Sequence, residues 1–415
     1  MAIKNIQSET KQRPKLRFSG FSGAWEEKLF GDVFSFRTTN SFSRENLNYE
    51  GGEVKNIHYG DIHTKFKTSF DITKETVPFI NNENKLNRIP QDNYCKEGDL
   101  ILADASEDYA DIGKCIEIIA LNSEKVLAGL HTLQARPTKN LIYTGFGGYL
   151  MKTKKNHFQI MKIAQGTKVL SISTGRLANI VLNFPALQEQ QKIAEFLGSV
   201  DEWIENLRTQ KESFEAYKKG IMQKIFSQDI RFKDDKGNNF PKWEEKKLGD
   251  IFKNTRGHVL AMPEVVKEKT QAYQYPVYSS QTKNNGLSGY YKDFLFRDCI
   301  TWTTDGANAG DVKYRPGKFY CTNVCGVLEN NDGYANVCVA EIFNQIAKKY
   351  VSYVGNPKLM NNVVSTIKIF IPGSIGEQQK IADFLVSIDK IIESKQQQIT
   401  QAEQWKKGLM QGLFV

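Results

Sequence analysis

The chain of 415 residues carries 56 Lys and Arg against 47 Asp and Glu, a net charge of +9, and 40% apolar residues, enough to build cores for two or three domains. No run approaches 18 consecutive apolar residues, and the polar start MAIKNIQSETKQRPKLRF has no apolar signal region, so neither a transmembrane helix nor secretion is expected. Six Cys are too sparse for a disulfide scaffold and fit reduced thiols in a cytosol, while the mildly basic balance favours a polyanionic partner.

In chain order, Leu16-Arg17-Phe18 precedes WEEKLFGDVF at 25–34. The following segment, about 35–187, predicts mixed α/β structure with short strands at 99–103, 115–120, 171–173 and 179–184, the last leading into Pro185. EQQKIAEFLGSVDEWIENLRTQKESFEAYKKGIMQKIF follows at 189–226. Ile230-Arg231-Phe232 and WEEKKLGDIF at 243–252 then echo the beginning, with seven of ten positions identical. A second middle segment, about 253–375, predicts strands at 275–278, 299–303, 318–321, 324–328 and 363–371. EQQKIADFLVSIDKIIESKQQQITQAEQWKKGLMQGLF at 377–414 matches 189–226 at a constant offset of 188, with about half its positions identical. The chain is a tandem duplication whose flanks match and whose middles diverge, which suggests one scaffold carrying two different readers.

Both EQQKIA segments predict long helices. Ile193, Val200, Leu207, Phe214 and Ile221 recur every seven residues, and Phe196, Trp203 and Tyr217 follow three positions on, with Gln210 in the same series. Leu197 and Ile204 widen the stripe. The second segment has the same register in Ile381, Phe384, Ile388, Ile391, Gln398, Trp405 and Leu409, flanked by Leu385, Ile392 and Ile399. A helix of about 38 residues spans roughly 57 Å, too long for one small core. An antiparallel pair with apolar surface left for partner helices is expected. Joining Val415 to Leu16 would reproduce the junction between Phe226 and Ile230, which hints at a circular, pseudo-two-fold object.

Motifs for chemistry are missing. Gly306-Ala-Asn-Ala-Gly310 lacks the lysine of a phosphate loop, and Gly145-Phe-Gly-Gly has no third glycine at dinucleotide-binding spacing. No Asn/Asp-Pro-Pro-aromatic run of an amino-methyltransferase occurs, and Glu53-Val-Lys55 is half of a nuclease pair without its Pro-Asp partner. His58, His63, His131, His157 and His258 form no ligand spacing, Cys321 and Cys325 read as core residues, and no Gly-x-Ser-x-Gly elbow is present. The expectation is a chain with no catalytic residue, metal or cofactor of its own.

Two variable segments alternating with two EQQKIA-(Asp/Glu)-Phe-Leu-x-Ser-(Val/Ile)-Asp helices, each half opening with (Leu/Ile)-Arg-Phe and Trp-Glu-Glu-Lys, resemble the specificity subunit of type I restriction-modification enzymes from about Leu16 to Val415. The resemblance implies an α/β (α+β) architecture: two mixed α/β target-recognition domains alternating with two long helices that pair as an antiparallel coiled coil. The corresponding parts are an N-terminal tail at 1–19, recognition domains at 20–187 and 230–375, and spacer helices at 188–229 and 376–415. It implies a non-catalytic subunit that reads an asymmetric, bipartite duplex DNA target in a prokaryotic cytoplasm. Its partners would be two methyltransferase subunits and two restriction (nuclease/translocase) subunits, which would hold the S-adenosylmethionine, ATP and Mg²⁺. A rigid helix pair would act as a ruler between half-sites.

On that reading, polar and basic loop residues become DNA candidates: Arg37, Asn56, His58, Lys65, Lys67 and Lys114 in the first domain. In the second they are Arg256, Ser279, Ser280, Gln281, Lys283, Asn284, Asn285, Thr304, Asp305, Asn308, Lys313 and Arg315. Ile193, Phe196, Leu197, Val200, Trp203, Ile204 and Leu207 with Ile381, Phe384, Leu385, Ile388, Ile391 and Ile392 are the candidate helix-pair and partner interface. A coiled-coil adaptor with two protein-binding domains, a specificity subunit of a related modification system and a self-contained nuclease or methyltransferase stay open as rivals. Apolar stripes without partners predict poor solubility of the chain alone.

Overall fold

A computed structural model describes residues 13–81, 86–138, 140–281 and 283–415, with Lys283 described for its backbone alone. The chain divides into two compact units. The first holds the described residues up to Arg208 together with Gln397–Val415, and the second holds Thr209–Gln396.

The first unit opens with β1 (Glu26–Leu29), the short helix α1 (Phe30–Val33), β2 (Phe34–Arg37), β3 (Leu47–Asn48) and β4 (Lys55–Ile57). Helix α2 (Tyr59–Thr64), β5 (Ser69–Asp71), β6 (Phe79–Ile80), β7 (Leu100–Ala103), β8 (Ala105–Ser106), β9 (Cys115–Ala120), β10 (Val126–Ala128) and β11 (Thr132–Pro137) follow. Helices α3 (Gly147–Met151) and α4 (Lys154–Ile163), β12 (Leu170–Ser171), α5 (Thr174–Leu177) and β13 (Val181–Phe184) lead to the long helix α6 (Leu187–Phe226). A five-stranded sheet has the order β2-β11-β7-β9-β5 and a four-stranded one β10-β4-β6-β3. Every residue of β7 is buried, which is why Leu-Ile-Leu-Ala reads as an unbroken apolar run rather than an alternation.

The second unit contains β14 (Glu244–Lys247), α7 (Leu248–Ile251), β15 (Lys253–Arg256), β16 (Tyr275–Tyr278), β17 (Leu287–Tyr291), β18 (Phe296–Thr303), β19 (Val312–Cys321) and β20 (Cys325–Glu329). Helices α8 (Val337–Ala347) and α9 (Asn361–Thr366), β21 (Lys368–Ile371) and the long helix α10 (Ile375–Leu413) complete the chain. Its six-stranded sheet runs β15-β20-β18-β19-β16-β17. The strand expected at 363–371 is confined to its last four residues. Only Lys368–Ile371 is extended, while the β-branched run before it forms α9. Tertiary contacts override strand propensity at this point: Val364 is buried, and Asn254 Nδ2 donates to the Asn361 carbonyl at 2.7 Å and to Ser365 Oγ at 2.9 Å.

The repeated flanks do the same structural job in each unit. β1 pairs with β13 as β14 pairs with β21, antiparallel and four residues deep. Trp25 and Trp243 sit in the two cores. Gly249 of the Gly-Asp pair lies so close to α9 that a Cβ would stand 2.7 Å from the Ser365 carbonyl oxygen, which bars any larger residue. The Arg of each (Leu/Ile)-Arg-Phe signature grips the first Glu of each EQQKIA. Arg17 Nε and Nη2 donate to Glu189 at 2.8 and 2.7 Å, and Arg231 Nε and Nη2 donate to Glu377 at 3.0 and 2.6 Å. Both carboxylates are almost wholly inaccessible, so deleting either arginine would cost about 3–5 kcal/mol. The following Gln caps the preceding segment, with Gln190 Nε2 on the Pro185 carbonyl and Gln378 Nε2 on the Pro372 carbonyl.

The two long helices touch and run antiparallel. In the first unit Val200, Ile204 and Leu207 pack on Ile399 and Ala402, and Arg208 pairs with Glu403 at 2.5 Å. In the second, Ile225 shares a core with Ile381, Ala382 and Leu385, and Lys218 pairs with Asp389 at 2.8 Å. That ion pair has its counterpart 188 residues away in Lys406 and Asp201, in the first unit. The buried series in α6 is Ile193, Leu197, Val200, Ile204 and Leu207. Its spacing of four and three makes the flanking Leu197 and Ile204 the seam. Trp203, placed in the stripe by sequence, is 48% exposed, and Phe196 is half-buried. In α10 the same holds: Ile381, Leu385 and Ile388 are buried, Phe384 and Ile392 are half-buried, and Ile391 is exposed.

Candidate nucleic-acid interface

In the second unit the strand order brings distant loops to one end of the sheet. β15 and β16 end there at Arg256 and Tyr278, β18 ends at Thr303, and β19 turns into β20 between Cys321 and Cys325. Arg256 donates through Nε to the Asn323 carbonyl and through Nη2 to Asp305 at 3.2 Å. Thr304 Oγ1 donates to the same carboxylate at 2.5 Å. Asn308 Nδ2 reaches across to the Ser280 carbonyl at 3.0 Å, and Thr322 Oγ1 donates to Ser279 Oγ at 3.1 Å. Arg256, Ser279, Ser280, Asp305 and Asn308, from three separate segments of the chain, thus share one surface, and Thr304 is buried beneath it, bonded to Asp305.

Asn284 and Asn285 cap this surface on a turn with left-handed backbone, φ 49° and 55°. Asn tolerates that region better than most residues. Arg315 holds the turn from below. Its Nη1 donates to the Asn285 carbonyl at 2.7 Å, its Nε to Thr301 Oγ1 at 3.2 Å, and its guanidinium stacks on Tyr278 with the carbon 3.8 Å from the ring centre. Arg315 is only 6% exposed, and burial pulls its pKa below the ordinary value. It is a positioning residue under the loop rather than a cation offered to solvent. Gln281 donates to the Leu287 carbonyl at 2.5 Å and closes the same turn, and Lys313 is exposed on β19. The Lys283 side chain lies outside the described residues.

In the first unit the candidates divide. Asn56 is fully buried, and its Oδ1 accepts from Asn40 Nδ2 at 2.7 Å, so it braces the interior instead of facing a groove. His58 is 7% exposed and caps α2, its Nδ1 accepting from Gly60 N at 3.1 Å. Burial, and then Arg44 beside it, push the His58 pKa down, which keeps the ring neutral. Arg37 pairs with Asp92 at 2.7 Å, and Lys114 Nζ donates to the His63 carbonyl at 2.5 Å. Lys67 pairs with Glu205 of α6 at 3.1 Å. Lys65 remains at the surface, bonded to Asp61 at 3.0 Å and to Tyr49 Oη at 3.1 Å. Arg44, which no local pattern singles out, joins this group at 2.8 Å from Asp61. Burial works against the Asp61 charge, yet the Arg44 and Lys65 bonds prevail and hold its pKa below the usual carboxylate range. Arg44, Tyr49 and Lys65 therefore form a cationic, aromatic-edged patch around a fixed carboxylate.

A separate apolar surface lies on the helices. Phe196, Ser199, Val200, Trp203 and Trp405 line a shallow groove in the first unit, with Trp203 and Trp405 edge to face at 6.3 Å. Adding or subtracting the repeat offset of 188 turns Phe196, Trp203 and Trp405 into Phe384, Ile391 and Tyr217 of the second unit. Ile391 and Tyr217 are likewise exposed, at 40% and 52%. The same kind of patch thus occurs once per unit.

The model of the type I restriction modification DNA specificity domain matches residues 23–216 and again 241–404. This chain belongs to that family. The specificity subunit is 34% identical over 220 residues to a provisionally named type I specificity subunit of Mycoplasma pneumoniae, covering 52% of this chain and 84% of the relative. It is 27% identical over 336 residues to a provisionally named MjaX specificity subunit of Methanocaldococcus jannaschii, covering 75% and 76%. Its fold is similar to the crystal structure of the type I system S subunit from M. genitalium, with a TM-score of 0.63, 17% identity and coverage of 97% and 99%. A chain from a structure of type I assembly and conformational transition superposes with a TM-score of 0.54, 12% identity and coverage of 96% and 98%. As a specificity subunit the chain is a non-catalytic component of its system. Among the described residues no helix is long and apolar enough to cross a membrane.

Proposed function

We propose that this specificity subunit reads an asymmetric, bipartite duplex DNA sequence, one half-site per unit, and docks two methyltransferase subunits and two nuclease-translocase subunits. S-adenosylmethionine, ATP and Mg²⁺ belong to those partners. The observation that carries the reading is the gathering of Arg256, Asp305, Asn308, Ser279 and Ser280 at one end of the second sheet. Guanidinium, amide and hydroxyl groups are what base edges and phosphates accept, and loops on a rigid sheet hold them in register. The middles of the two units diverge where the flanks repeat, which supports two different half-sites and hence a non-palindromic target. The paired patches around Trp203 and Tyr217 support two equivalent protein docking places. The test is selection of duplexes from a randomised pool by the chain assembled with its methyltransferase subunit. Two unlike fixed blocks separated by an unspecified spacer support the proposal, and a pool with no enriched sequence removes it.

A further inference from the structure

Beside Thr304 and Asp305 stands a hairpin that contains none of the candidate residues. Ser352 N donates to the Lys358 carbonyl at 2.8 Å and Lys358 N returns to the Ser352 carbonyl at 2.9 Å. The five residues between them, Tyr-Val-Gly-Asn-Pro, form the tip, with Gly355 at φ +76°. The hairpin is fixed on both sides. Val351 and Leu359 are buried, Leu359 N donates to the Thr304 carbonyl at 2.9 Å, and Gly306 N donates to the Pro357 carbonyl at 2.9 Å. Lys358 Nζ lies 3.9 Å from the Asp305 carboxylate that also receives Arg256.

On this rigid base Val354 is 94% exposed and Tyr353 68% exposed. An apolar tip held out in water gains nothing for the fold, and burying it against a partner is favourable. The surrounding charge says which partner. Lys348, Lys349, Lys358 and Arg256 outnumber Asp305 and Asp311 around the hairpin, and a cationic rim around an aromatic tip suits a polyanion with apolar bases inside it. We propose that the hairpin at 352–358 is a further DNA-contacting element of the second unit, with Tyr353 and Val354 seated against bases and Lys358 beside a phosphate. The proposal rests on the DNA-reading function above.

The test uses the full chain assembled with its methyltransferase subunit, the duplex that this assembly selects, and an unrelated duplex of equal length. Affinities are measured over a range of salt concentrations. Tyr353→Ala with Val354→Ser is expected to weaken the selected duplex at least tenfold, leave the unrelated duplex nearly unchanged and keep the salt slope. Lys358→Gln is expected to weaken both duplexes and flatten the log–log salt slope by about one. Retention of full affinity and preference by the double variant overturns the proposal, as does loss of the methyltransferase subunit from its assembly, which would make the tip a protein-docking surface. If the unmodified assembly shows no sequence preference, the DNA-reading function itself falls, an outcome visible without any variant.

Discussion

Arg315 spends its guanidinium inside the second unit, on the Tyr278 ring and the Asn285 carbonyl. Hydrogen bonds from a charged group contribute about 1.5–3 kcal/mol each, so the loop's conformation depends on this side chain. Arg315→Met keeps most of the volume and removes the donors. The expected result is about a tenfold loss of affinity for the selected duplex with a lowered melting temperature. Arg315→Lys should not restore it, since a point charge cannot replace the planar fork. Unchanged affinity in Arg315→Met would show that the loop holds itself. Glu117 is a second buried charge, in the first unit, where Gly145 N and Gly148 N donate to it at 2.7 Å each. Burial pushes its pKa up to about 7 despite those donors. A raised pKa means that its stabilising contribution is full below about pH 4.5 and is lost as pH rises through 7. The stability difference between wild type and Glu117→Gln, from denaturant titrations, should therefore shrink between pH 4.5 and 7. A difference that is constant over that window contradicts the assignment. Arg315 and Asn56 show what local sequence cannot carry. Both look like surface donors by type, and only long-range packing decides that they are buried.

At the scale of the element, the long helices were legible to within a residue or two, because apolar periodicity over five heptads leaves no other structure. Their seam was less legible. In the first two heptads the positions three and four after the heptad start are both apolar, and the fold buries Leu197 and Ile204 while leaving Trp203 exposed, as it does Tyr217 further on. The short strands from Cys115 to Ala120 and from Tyr275 to Tyr278 were legible from β-branched and aromatic runs. Helix α9 was not, since its Val-Val-Ser-Thr sequence favours a strand until Asn254 and the neighbouring core are present. The exposed aromatics make a further prediction about docking. Trp203→Ser with Trp405→Ser should leave one methyltransferase subunit bound instead of two, as counted by native mass spectrometry. Tyr217→Ser with Ile391→Ser should do the same, and all four together should leave none. Retention of both subunits by every variant would place docking elsewhere.

At the scale of the molecule, duplication explains features that no single residue does. Leu16 N donates to the Gly412 carbonyl at 2.8 Å in the first unit, and Ile230 N donates to the Lys224 carbonyl at 3.1 Å in the second. Lys224 and Gly412 are 188 residues apart, the repeat offset, so the start of each half docks on the last turn of an EQQKIA helix in the same way. The flanks repeat because each unit must build this joint, its Arg–Glu clamp and its helix seam. The middles lie outside these joints, so they are free to diverge. The grouping of Arg256 with Asp305 and Asn308 could not be read beforehand, since it depends on which strand ends share a sheet edge. The most direct test is co-expression of the chain with a type I methyltransferase subunit of its host, followed by mapping of methylated adenines across plasmid DNA. Methylation at one bipartite, asymmetric motif is the expected result. Methylation at a palindrome, at scattered sites or nowhere in a stable complex would contradict it.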